Sequence, residues 1–264
     1  PNDYKISLND QFTVILSGSK EEIFDLNVNL DGSILFPELG SISVVGETFQ
    51  EIKTKLKNLI DQSYIGVQID LSLKNLSAKK ITIVGAVKTP GTYLVNPFST
   101  ISSALGYSGG ISEIGTLRNI RLVRSNGKTY SFDLYKLLIN GNRSDDITIE
   151  SGDVIVIDAA QQFINISGQV KRPAIYEVKE GENLDDLISF ALGFTQIANK
   201  SNISLRVLDI ESSSIKNINV SNPESNLSDV LSVNVNPYIN KDVASIKVTG
   251  AVKEPGFYSL ANEK

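Results

Sequence analysis

Two pairs of adjacent carboxylates, Asp145-Asp146 and Asp185-Asp186, come nearest in this chain to residues that could do chemistry. Glycoside hydrolysis needs two carboxyl groups about 5–9 Å apart, facing each other across a sugar. Neighbouring residues on a strand or at an exposed helix start point in different directions, so this spacing argues against catalysis. Asp185 and Asp186 fall in the first turn of an expected helix, where acids complement the macrodipole. Asp31-Gly32 reads as a turn rather than a metal loop. Ser108-Gly109-Gly110 lacks the Lys-Ser/Thr of a phosphate loop. Asn165-Ile166-Ser167 falls on an expected strand and carries no information. Cysteine and histidine are both absent. That removes disulfides, thiolate nucleophiles, Ser-His-Asp and Cys-His mechanisms, and histidine zinc sites. No catalytic, cofactor-binding or metal-ligating residue is assigned.

The chain has 264 residues, 41% of them apolar and 21% charged, enough to bury a core in each of several modules. A net charge of −5 argues against a nucleic-acid partner, which needs a cationic face. No apolar run reaches the ~20 residues that a membrane-spanning helix requires. Methionine is absent and the first residue is Pro1. The expectation is a piece of a longer protein, with any signal, lipid-anchored cysteine or membrane helix lying outside it.

One nine-residue pattern occurs three times. It reads Gly85-Ala86-Val87-Lys88-Thr89-Pro90-Gly91-Thr92-Tyr93, then Gly168-Gln169-Val170-Lys171-Arg172-Pro173-Ala174-Ile175-Tyr176, then Gly250-Ala251-Val252-Lys253-Glu254-Pro255-Gly256-Phe257-Tyr258. The intervals between copies are 83 and 82 positions, the signature of a repeat architecture. Each copy follows an apolar or alternating run, Ile81–Val84, Ile164–Ser167 and Ile246–Thr249, which reads as a strand. The Lys-x-Pro stretch reads as a turn, with the glycine after proline free to take a positive φ in two copies. The tyrosine begins a second strand, so the unit is a hairpin. Gly85, Gly168 and Gly250, with Val87, Val170 and Val252, Pro90, Pro173 and Pro255, and Tyr93, Tyr176 and Tyr258, are taken as structural. Lys88, Lys171 and Lys253 recur at an exposed turn and are candidates for an inter-module contact.

The first repeat continues with a short helix capped by Ser99, carrying Ile101, Ala104 and Leu105 and stopped at Gly109-Gly110. Two strands joined through Asn126-Gly127 follow, then a helix over Leu134–Ile139 and a closing strand from Gly152-Asp153 to Ile157. The second repeat runs in parallel, with a helix from Leu184 to Leu192, then strands Ile203–Leu208 and Ile215–Val220. No clear counterpart of Gly152-Asp153 is evident, because Lys241-Asp242 lies closer to the next motif. The third copy ends after its first hairpin, too short to fold alone. Residues 1–78 lack the motif. They carry a first strand ending near Leu16, a hairpin across Asp31-Gly32, and a short strand at Ile42–Val45. A capping box, Thr48 with Glu51, opens a helix bearing Phe49, Ile52, Leu56, Leu59 and Ile60, and a strand follows at Val67–Leu73.

The N-terminal residues Tyr4, Ile6 and Asp10, the stretch Asp31-Gly32-Ser33-Ile34 to Phe36-Pro37 and Gly40, and Gly46 with Thr48, resemble the polysaccharide export sequence domain. The repeats resemble SLBB domains (soluble-ligand-binding β-grasp), whose hallmark is this hairpin. The combination is similar to the outer-membrane polysaccharide export family. The pattern departs at Asn9, where the family usually has glycine, and at Ala174. The resemblance implies an α+β fold of tandem small β-rich modules: an export domain at 1–78, β-grasp repeats at 79–160 and 161–244, and a truncated third repeat at 245–264. It also implies a periplasmic location at the outer membrane of a Gram-negative bacterium and assembly into a homo-oligomeric ring. A polysaccharide chain would be the cargo and an inner-membrane co-polymerase a partner, while contact with the outer membrane would come through regions outside this chain. The alternative is a monomeric periplasmic module that binds a soluble ligand or cell-wall glycan. Saturable binding of an oligosaccharide to one module would favour the alternative, and high mass of the full-length protein the exporter.

Overall fold

The computed structural model describes residues 2–221, 224–238, 244–254 and 256–260. In the N-terminal module, alternation over Gln11–Gly18 puts Phe12, Val14 and Leu16 on one face of a strand, β1, and all three are buried. β2 (Glu22–Asn27) and β5 (Val67–Asn75) flank it, both antiparallel, in the order β2-β1-β5. β3 (Ser33–Phe36) and β4 (Gly40–Ser43) form a separate hairpin. The expected hairpin across Asp31-Gly32 is therefore corrected. The chain does turn there, with Gly32 at φ +81° and Ser33 donating to Asp31, but Val28 and Ile34 share only one bridge. β2 pairs with β1 instead, because that register lines Leu26 with Phe12 over the core. Helix α1 (Phe49–Ser63) starts at the expected capping box and buries Phe49, Ile52, Leu56 and Ile60 against the sheet. Each such side chain contributes roughly 1.5–3 kcal/mol of apolar burial.

The first repeat holds β6 (Lys79–Gly85), β7 (Gly91–Val95), α2 (Ile101–Ala104) continued by a 3-10 turn (Leu105–Ser108), β8 (Gly115–Val123), β9 (Thr129–Phe132), α3 (Leu134–Asn140) and β10 (Val154–Ala159). The sheet order is β7-β6-β10-β8-β9, with β6 and β10 parallel at the centre. Ile101, Ala104 and Leu105 lie on the face made by Ile81, Ile83, Ile120, Leu122, Ile155 and Ile157. This is one helix laid on a mixed sheet, as expected. The cap is Thr100, not Ser99: Ser99 is used one residue earlier, where its N–H donates to Asn96 O and its carbonyl accepts from Ile149.

The second repeat repeats the plan with β11 (Gln162–Gly168), β12 (Ala174–Val178), α4 (Leu184–Phe190), β13 (Ala198–Asp209), β14 (Ser214–Val220) and β15 (Val230–Pro237), in the order β12-β11-β15-β13-β14. β15 answers β10, since Val235 faces Gly168 as Ile157 faces Gly85. Counted back along that register, Val230-Leu231 stand where Gly152-Asp153 do, so no Gly-Asp pair recurs there; Lys241-Asp242 lie outside the described residues. The third copy pairs β16 (Ala244–Val248) with β17 (Gly256–Leu260). Ile81 faces Tyr93, Ile164 faces Tyr176 and Ile246 faces Tyr258, so all three hairpins share one register.

Contacts gather the chain into two compact units, 1–159 and 160–264. The N-terminal module and the first repeat share the first unit.

The motif glycines explain why closure recurs. Gly85 has φ +88°, and a Cβ there would lie 2.0 Å from the carbonyl oxygen of Ile157; at Gly168, φ is +79° and Val235 O would be 2.2 Å away. Gly127 has a similar φ of +82° but open space around it. Gly85→Ala is expected to cost about 3 kcal/mol or more, because strain and overlap add. Gly127→Ala is expected to cost on the order of 1 kcal/mol from the backbone alone. Urea midpoints of the two variants check this, and equal losses would contradict it.

Candidate functional site

The nine-residue motif is a strap across the end of each repeat's helix. After the glycine, Ala86 N–H donates to Ile157 O at 2.8 Å, and Gln169 N–H to Val235 O at 2.8 Å. Lys88 N–H donates to Gly110 O and Lys171 N–H to Gly193 O, at 3.0 and 2.9 Å. The next residue donates into the helix end, Thr89 to Ser108 O and Arg172 to Ala191 O, each at 3.0 Å. The carbonyls of Ser108 and Ala191 stand at the helix ends, where orphan acceptors need partners, and the turn supplies them. The tyrosine closes the corner. The Tyr93 hydroxyl donates to Thr89 O, and that of Tyr176 to Arg172 O at 3.0 Å. Val87 and Val170 are buried and bridge to Ile111 and Phe194. Pro90 and Pro173 are exposed at the corner. In the third copy Gly250 has φ +104° and Val252 N–H donates to Gly250 O at 2.9 Å. Pro255 and the side chain of Tyr258 lie outside the described residues.

The positive φ belongs to the first glycine of the motif, not to the one after proline as expected. Gly91 is not in the left-handed region, and a Cβ there would meet Tyr93 at an ordinary 3.6 Å. Ala174 is tolerated for that reason. Asn9 does sit in the left-handed region, at φ +65°, where asparagine is the usual substitute for glycine.

Lys88, Lys171 and Lys253 are all exposed. The carboxylate pairs have structural places. Asp146 lies in a loop rather than on a strand, and is buried. It accepts from Ser102 N–H at 2.9 Å, Ser102 Oγ at 2.7 Å and Thr100 Oγ1 at 3.0 Å, which fixes the start of α2. Asp186 accepts from Asn183 N–H at 2.9 Å, and Asn183 Oδ1 accepts from the N–H groups of Asp185 and Asp186 at 2.9 and 3.1 Å. Among the described residues no group of three or more acidic side chains could hold a metal ion, and no helix is long and apolar enough to cross a membrane.

A polar cluster sits at the seam between the N-terminal module and the first repeat. Asp10 is fully buried and accepts from the Tyr4 hydroxyl at 2.9 Å, Ser7 N–H at 2.8 Å and Ser77 N–H at 2.8 Å. One carboxylate thereby ties the first residues, β1 and the connector into β6. Lys79, 4% exposed, donates to Ile149 O at 2.7 Å and stands 5.3 Å from the Tyr4 ring centre. Glu150 accepts from Lys5 Nζ at 3.1 Å and also from Arg124 Nη1, and so bridges the two modules. Arg124 donates to Thr148 O at 2.8 Å and lies 5.1 Å from the Tyr130 ring centre. The Phe98 ring meets that of Tyr4 at 5.4 Å. Tyr4, Lys5, Lys79, Phe98, Arg124 and Glu150 help to line a cleft of about 410 Å³. Burial depresses the Lys79 ammonium below the ordinary lysine value and raises the Asp153 carboxyl. Burial, then the Asp10 carboxylate, raise the Tyr4 hydroxyl above the ordinary tyrosine value. Sequence reasoning used Tyr4 and Asp10 as markers of a pattern and passed over Lys79, Arg124 and Glu150. The period-two alternation held a signal: Lys79 shares its face with Ile81 and Ile83, and Arg124 with Ile120 and Leu122.

Tyr4→Phe removes one hydrogen bond to a buried carboxylate and is expected to cost about 1–2 kcal/mol near neutral pH. A hydroxyl whose folded pKa is raised lends stability that is full below the unfolded value of 10.0 and is lost as pH climbs above it. The gap between the protein and Tyr4→Phe should therefore narrow above pH 10, in denaturation series from pH 8 to pH 11. A constant or widening gap would contradict the assignment.

Comparison with known proteins agrees with this architecture. The family described as polysaccharide biosynthesis/export protein matches residues 1–74, and the SLBB domain matches 80–133 and 163–209. The matches cover about two thirds of the chain. The EPS I polysaccharide export outer membrane protein EpsA of Ralstonia nicotianae is 24% identical over 196 residues, which are 73% of this chain and 51% of that protein. Its counterpart from Ralstonia solanacearum is 25% identical over 65% of this chain and 46% of its own length. The polysialic acid transport protein KpsD of Escherichia coli is 25% identical over 67% of this chain and 32% of its own length. The chain thus spans about half the length of the EPS I proteins and a third of the polysialic acid protein. An export module followed directly by two repeats with one strapped hairpin places the chain in the outer-membrane polysaccharide export family.

Proposed function

We propose that this chain is the periplasmic part of a subunit of an outer-membrane polysaccharide exporter in a Gram-negative bacterium. Copies assemble into a ring through which a capsular or exopolysaccharide chain passes, handed on by an inner-membrane co-polymerase. The chain is a conduit wall and not an enzyme. The observation that carries the reading is the order of modules, an export domain followed by SLBB repeats, matched over two thirds of the sequence. The names of the relatives, export or transport proteins for EPS I and polysialic acid, point the same way. A wall of modules whose polar groups are spent on straps and caps suits a polymer that must leave as readily as it enters.

The module boundaries near residues 78, 160 and 244 and the structural role of the motif residues belong to the same proposal. Lys88, Lys171 and Lys253 are its inter-module or inter-subunit contacts, since each is exposed between the two strands of its hairpin.

Deletion of the gene in the source bacterium is expected to abolish surface polysaccharide while polymer accumulates inside the cell, read by carbohydrate staining of surface and lysate fractions. Unchanged surface polymer would overturn the export reading. Lys171→Glu in the full-length protein is expected to lower the fraction assembled into large particles on size-exclusion chromatography, with thermal unfolding shifted little, as for most surface substitutions. Unchanged assembly would remove the lysines from the contact.

A further inference from the structure

The seam cleft has the chemistry of a sugar site. Phe98 is 52% exposed and Tyr130 partly so, and an aromatic face of this kind accepts the C–H face of a pyranose ring. Lys5 and Arg124 reach into the same cleft, with side chains 55% and 13% exposed. Both already hold a carboxylate, that of Glu150, which is itself about one third exposed. The lining carries the cations Lys5, Lys79 and Arg124 against the acids Asp3 and Glu150.

We propose that this cleft is a weak docking point for a carboxylated sugar unit of the passing polymer, the sugar carboxylate displacing Glu150 from Lys5 and Arg124 while its ring lies on Phe98 and Tyr130. The idea rests on the export reading and names the class of polymer that the reading leaves open. Glu150 acts as a built-in competitor. It swings back when the sugar leaves, so the two cations are not left unpaired and the polymer is not held. Exchange of one carboxylate for another keeps the affinity low, as a translocation path requires.

The test is calorimetric titration of the chain with a tetrasaccharide of alternating glucuronic acid and N-acetylglucosamine. The control is the same tetrasaccharide with its carboxyl groups reduced to alcohols. The acidic form is expected to bind saturably and to weaken as salt is raised, and the reduced form not to bind. Glu150→Gln removes the competitor while keeping the shape, and is expected to tighten binding about threefold or more, the size of one partly exposed ion pair. Because this variant gains binding, a folding defect cannot imitate the result. Phe98→Ala should weaken binding, and an unchanged affinity would remove the aromatic platform. No binding of the acidic form, equal binding of the reduced form, or a Glu150→Gln variant no tighter than the parent would overturn the docking point. Any of these would leave the export reading standing, since that rests on the deletion phenotype.

Discussion

The repeats depend on one close approach of backbone to backbone. At Gly85 the chain leaves its strand with a positive φ and presses against the carbonyl of Ile157, and Gly168 does the same against Val235. The two residues involved are parallel partners in the centre of each sheet. The contact therefore welds the first strand of a module to its last. It also sets the angle at which the following turn departs, so that the Lys-x-Pro corner arrives over the helix end and caps it. A side chain at the glycine would push the central strands apart, and the strap, the helix end and the core beneath them would all lose register. This is why a small number of residue types recurs while the rest of the two repeats diverges.

The seam works on different physics. There the organising group is a buried carboxylate, Asp10, with three donors converging on it from the first residues and from the connector. A buried charge that lost these partners would be costly, so the cluster holds the two modules in a defined relation rather than merely attracting them. Lys79 and Arg124 add charge in the same low-dielectric space, each fixed by backbone carbonyls. Ion pairs exposed elsewhere on the surface, such as Lys53 with Asp70, contribute little by comparison.

Much of the fold was legible because period-two alternation and turn chemistry are local. The capping box at Thr48 and Glu51, the turn at Asn126-Gly127 and the strands of both repeats follow from neighbours within a few positions. The pairing of β2 with β1 rather than β3 was not legible, because register across a sheet is decided by which face meets the core. The cap at Thr100 was off by one for a related reason: its supporting acceptor, Asp146, lies 46 residues away. The strap was visible as a pattern but not as a cap, since the helix ends it satisfies are remote in sequence. The seam was the least legible part. Its charged residues look like solvent-facing ones until the alternation that places Lys79 and Arg124 on inward faces is followed to the ends of the strands.

The proposed function makes these modules segments of a ring wall. Electron microscopy of the full-length protein, extracted from membranes in mild detergent, tests it most directly. Annular particles with an axial opening are expected, built from stacked tiers in which the export domains form one layer and the repeats the next. Single copies at every concentration and detergent, with this chain folded as described, would contradict it.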